Sequence, residues 1–142
     1  MQILNTVRRG ACLALLVALV GSSTAFAQAY AEKDQQWWNM LEAQLVESAQ
    51  SDIDQVRHEA FQHIIFFAEN YDQFVNFDDA AFEIMGRFEA SDSVEERLLA
   101  LAALNAIGEE ATISRLMEVA DAESSERVRA VAAKVLLNHA AG

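Results

Sequence analysis

The chain has 142 residues, 53% of them hydrophobic, a formal charge of −12 at pH 7 and no proline. Ten basic residues face 22 acidic ones, which disfavours nucleic acid and anionic lipid surfaces, because both are gripped through Lys and Arg. The only cysteine, Cys12, sits near the start, so nothing downstream of it offers a disulfide, a thiolate metal site or a cysteine nucleophile.

The first element is a targeting segment. Arg8 and Arg9 form a positive region, residues 11–20 (ACLALLVALV) are apolar, and Ala25-Phe26-Ala27 has the small-x-small pattern of a cleavage site. Ten apolar residues are too few to span a bilayer, which needs about 20. The expectation is therefore a cleavable signal peptide over 1–27, with cutting before Gln28 or, alternatively, before Tyr30. No stable membrane insertion is expected afterwards, and the protein is placed in the periplasm or outside the cell. Residues 28–142 are then the size of one domain. They carry all 22 acidic residues and eight basic ones, a formal charge of −14. Such a surface steers in a basic partner. The plainer reading is a solvated acidic surface that favours solubility.

Six helices follow in chain order, favoured by abundant Ala, Leu, Glu and Gln. The first is expected over about 32–50, with Trp38, Leu41 and Leu45 on one face and Trp37 at its edge. The second covers about 52–69, with Ser51 as its cap and Asp52 and Asp54 in its first turn. The third runs from about 73 or 78 to 89; Phe74, Phe77, Ala81, Ile84 and Phe88 keep helical spacing. The fourth opens on a capping box, Ser93 with Glu96, and stops at Gly108. The fifth covers about 110–120, with Ile113, Leu116, Met117 and Ala120 facing the core. The sixth covers about 125–139, capped by Ser124 or Ser125, with Val128, Ala132, Val135 and Leu136 inward. The fold class is all-α.

Three of these helices align on one another: VRHEAFQHI from Val56, ERLLALAAL from Glu96 and VRAVAAKVL from Val128. Each has Arg second (Arg57, Arg97, Arg129), Ala fifth (Ala60, Ala100, Ala132) and a large aliphatic ninth (Ile64, Leu104, Leu136). The spacing falls near that of helical-hairpin repeats. The Ala lets a partner helix approach closely. The Arg buries its stem and reaches a nearby acid, for which Asp54, Glu95 and Glu126 are available.

This pattern resembles the HEAT repeat, in particular the short variant found in phycobilin-lyase-like proteins. The best match is DAESSERVRAVAAKVLL; the middle copy departs by placing Glu96 where Val is usual. The resemblance implies a short α-solenoid, a right-handed superhelix of about three antiparallel helix hairpins, with repeats at about 32–70, 73–107 and 109–139 and the terminal helices as caps. Fold alone does not fix function.

Candidate sites are sparse. His58 and His63 are five apart and diverge by about 140° around a helix, too far to share one ion. Glu59 and His63 are four apart, which also makes an ordinary helical pair. No metal, no cofactor and no catalytic residue is expected. Asp78-Asp79, Glu95-Glu96 and Glu109-Glu110 sit where acids complement helix dipoles, and His139 sits where a cation does. Phe66 fits neither apolar stripe of the second helix. With Gln62, His63, His58 and Trp37 it is the candidate partner-binding surface. The expectation is a non-enzymatic interaction module for another envelope or secreted protein, a basic one being favoured by the acidic charge. The alternative is a small-ligand or metal-binding periplasmic accessory protein with a pocket lined by Phe61 and Phe74.

Overall fold

A computed structural model describes residues 29–140; the expected signal peptide over 1–27 lies outside them. Residues 29–34 belong to a separate unit, with a helical turn at 29–31 and a bond from the Lys33 N–H to the Tyr30 carbonyl at 3.0 Å. The second unit begins at Gln35 and is all-α: α1 Gln35–Ala49, α2 Asp54–Asn70, α3 Asp78–Ala90, α4 Val94–Ile107, α5 Glu110–Val119 and α6 Glu126–Ala140, with a 3-10 turn at Ala120–Ala122 before α6. No strand occurs among the described residues.

Local chemistry sets the boundaries. α2 starts later than Ser51 suggests: Ile53 occupies the N-cap position, and the Ser51 hydroxyl accepts from the Ile53 N–H at 3.2 Å, one step outside the helix. α3 starts at Asp78 because Asn76 Oδ1 accepts the Asp78 N–H at 2.8 Å, a local turn that competes with helix. In α4 the Ser93 hydroxyl accepts the Glu96 N–H. The reciprocal half of the box is absent, because the Glu96 carboxylate is used elsewhere. Glu109 caps α5, its carboxylate accepting from the Ala111 and Thr112 N–H groups at 2.9 and 2.7 Å. Ser125, not Ser124, caps α6 by accepting the Val128 N–H at 3.4 Å.

Gly108 ends α4 with φ 68°, the left-handed conformation glycine adopts without strain. A Cβ there would also stand 2.9 Å from His139 Cε1. The imidazole is packed on this turn, with Nε2 3.2 Å from the Asn105 carbonyl, while Asn138 Nδ2 donates to Asn105 Oδ1 at 2.9 Å. His139 thus does more than complement the α6 dipole. It fastens the end of α6 to the end of α4.

Packing runs from neighbour to neighbour. α1 packs on α2, α3 on α4 and α5 on α6; α1, α3 and α5 touch in series, as do α2, α4 and α6. The most extensive association is α2 with α4. The three aligned alanines, Ala60, Ala100 and Ala132, are all buried, as are Ile64 and Leu104. The small side chain at the fifth position is where these helices come close. Other positions of the aligned segments and of the expected core are less buried. Val56 is exposed and Leu136 only half-buried, while Met117 is 65% exposed, its place being taken by Thr112 and Leu116.

Candidate functional site

The expected partner surface is a stripe on α2. Gln62 and His63 are exposed, and Phe66 is 45% exposed between them and the end of the helix. Gln55 and Glu59 extend the same stripe, joined by a bond from Gln55 Nε2 to Glu59 Oε1 at 3.0 Å. His58 and Trp37 are half-buried and belong to other surroundings. Trp37 stands edge-on to Trp38 with ring centroids 4.9 Å apart.

Phe66 is the rim of an aromatic cluster. Its ring lies 5.1 Å from Phe67 and 5.9 Å from Tyr71. Both of those contact Trp38, on which Phe74 also stacks at 5.1 Å with the planes within 5°. Trp38 is fully buried, and its indole N–H meets no acceptor among the described residues. The anomaly of Phe66 on the helical wheel therefore has a partial structural cause: one flank of its ring packs on the cluster, and the other is open to solvent. Phe61 is fully buried, and Phe74 stacks on Trp38.

A second cluster was visible in the sequence only as a departure. Glu96, at the position where the pattern calls for Val, has an almost buried side chain. Its carboxylate accepts from Arg57 Nε at 2.5 Å and from the Ser91 hydroxyl. Arg57 is buried too. Its other nitrogens donate to Asp54 Oδ1 and to the Ser51 carbonyl, each at 2.7 Å. His58 Nε2 lies 3.4 Å from the same Glu96 oxygen. Burial alone pushes the Glu96 carboxyl up; the Ser91 hydroxyl and the Arg57 guanidinium outweigh it and hold its pKa below the usual carboxylate range. For Arg57, burial opposes the charge, and the Glu96 and Asp54 carboxylates more than restore it.

The other repeat arginines depart from their expected partners. Arg97 pairs with Glu123, not Glu95, with Nη1 at 2.6 and 2.7 Å from the two carboxylate oxygens. Arg129 does not reach Glu126; it donates to the Glu123 carbonyl at 2.9 Å, six residues back, as Arg57 does to Ser51. Arg57 and Arg97 thus each hold an acid from the element that packs next. Sequence proximity suggested Glu95 and Glu126. The true partners lie 39 and 26 residues from their arginines.

Among the described residues no group of three or more His, Asp or Glu is placed to hold a metal ion, and no helix is long and apolar enough to cross a membrane. Compared with known proteins, the chain matches no family model, no curated protein and no solved structure.

Proposed function

We propose that this chain is an exported, HEAT-like helical-repeat protein that works without catalysis, as an interaction module for another envelope or secreted protein. The observation that carries the reading is Phe66. It is a large aromatic, open on one flank and packed on the other against Phe67 and Tyr71, and it stands beside exposed Gln62 and His63. A preorganised aromatic in a polar surround is the usual anchor of a protein interface. The buried ion-pair cluster is structural in this reading, because Arg57 and Glu96 pair across α2 and α4 while Asp54 holds Arg57 within α2. The strongly acidic surface favours a basic partner through long-range steering.

The test is a photo-crosslinking residue at Gln62 in the protein expressed in its native cells, with mass spectrometry of the product. The reading expects a chain that begins at Gln28 or Tyr30, joined to one specific envelope protein. Introducing Phe66→Glu should abolish that product. Equal recovery with Phe66→Glu, or an uncleaved cytoplasmic chain, would sink the reading.

A further inference from the structure

Among the described residues, the outer apolar face of the last hairpin is left uncovered. Ile113, Met117, Leu136 and Leu137 lead a groove of about 510 Å³ between α5 and α6. Leu137 is 70% exposed. Twice within the molecule the corresponding face is covered. Four and seven residues after Arg57 come Phe61 and Ile64; after Arg97 come Leu101 and Leu104. All four are fully buried, with α4 packed on α2 and α6 packed on α4. Four and seven residues after Arg129 come Ala133 and Leu136, one exposed and one half-buried.

Charge points the same way. Between residues 35 and 140, Arg57, Arg87, Arg97 and Arg115 all pair with carboxylates. The remaining basic residues, Arg127, Arg129 and Lys134, have no carboxylate partner among the described residues, and all three are on α6. Of the three, Arg129 lies on the groove side of α6, one turn before Ala133, while Arg127 and Lys134 project roughly 110° or more away from it. Both internal interfaces join such an arginine to an acid at or just before the first turn of the covering helix, Glu96 for α4 and Glu123 for α6.

The geometry points to a docking site on α5 and α6 for an amphipathic helix of a partner protein, with an aliphatic ridge in the groove and a carboxylate at the helix start bound to Arg129. This surface is separate from the Phe66 stripe, and the inference does not depend on that reading. It asks for local acid where the protein as a whole favours base. A second copy of the chain is disfavoured as occupant by its own large negative charge.

The probe is an acetylated, dye-labelled peptide of residues 120–140, which carries Glu123 ahead of an apolar ridge and already covers the equivalent face of α4. It is titrated into the full protein by fluorescence anisotropy. The site predicts saturable binding that weakens with salt and weakens at least about tenfold in Arg129→Glu. Glu123→Lys in the peptide should recover binding to Arg129→Glu, a swap that a general loss of folding cannot mimic. Leu137→Asp, at an already exposed position, should also abolish binding while the helical circular dichroism is kept. No binding at millimolar peptide, binding indifferent to both variants, or a concentration-dependent dimer whose hydrogen-exchange protection maps to Met117 and Leu137 would each overturn the proposal.

Discussion

The first hairpin and the last are built of different material. α1 and α2 fill their interior with rings: Trp38, Phe61, Phe67 and Tyr71 are buried, and Trp37, Phe66 and Phe74 stand around them. α5 and α6 fill theirs with Thr112, Leu116, Val128, Ala132 and Val135. An aromatic side chain buries 150–250 Å² or so, several times what an alanine contributes. The first hairpin therefore carries far more burial per residue, and its inner face is also sealed by α4. The last hairpin is held by smaller contacts and by the polar fastening of Asn138 and His139 to Asn105. Stability is concentrated at one end of the molecule, and receptive surface at the other.

That asymmetry can be broken most severely at Trp38. Trp38→Ala should cost about 3–5 kcal/mol in urea unfolding, because it empties the centre of the aromatic cluster. A loss below about 1 kcal/mol would mean that the rings do not anchor the fold. Glu96→Ala comes next, at about 3 kcal/mol, since it strands a buried Arg57 guanidinium that retains only Asp54 and the Ser51 carbonyl. The double replacement Arg57→Met with Glu96→Leu should cost less than Glu96→Ala alone, because no charge is left buried. The same pair sets the acid limb. The folded-state pKa of Glu96 is depressed, so its contribution is complete above the unfolded carboxyl value and is lost as pH falls through the lower folded value. Glu109, lowered by the Ala111 and Thr112 N–H groups against the opposing effect of burial, follows the same direction. Denaturation midpoints measured from neutral pH downwards should fall in the native protein and fall less in Glu96→Gln.

The smallest expected effect tests the other end. Gly108→Ala should cost about 1–2 kcal/mol, through the left-handed backbone and the contact with His139. Hydrogen exchange should quicken most at the ends of α4 and α6, with little change in the first hairpin. Uniform loosening of the whole domain would contradict the division between the two ends.

Helix number and helix type were legible in the sequence because periodicity, Ser93 and Gly108 all speak locally. Buried Ala60, Ala100 and Ala132 were legible for the same reason, since small residues at a repeated position mark close approach. Pairing across helices was not. Arg97 has Glu95 two residues away, yet it pairs with Glu123, because the guanidinium leans toward the next helix. Glu96 looked like a flaw in the pattern, and it is the acid that joins α4 to α2. Exposure of Met117 was equally hidden. The wheel places it on the apolar face of α5, but among the described residues that side of the helix is left uncovered. Of the candidate surface, Phe66, Gln62 and His63 share one exposed stripe, while His58 and Trp37 are drawn to the Glu96 cluster and the Trp38 cluster.

The neighbour-to-neighbour order of the helices also bears on how the chain reaches this state. Each helix makes its main contacts with elements one or two places away along the chain. Loops closed during folding are therefore short, and the entropy surrendered before a contact forms is small. Such low contact order belongs to domains that fold in microseconds to milliseconds. With no proline in the sequence, no prolyl isomerisation can add a phase of tens of seconds. A single fast refolding exponential is the expected kinetic signature of this architecture.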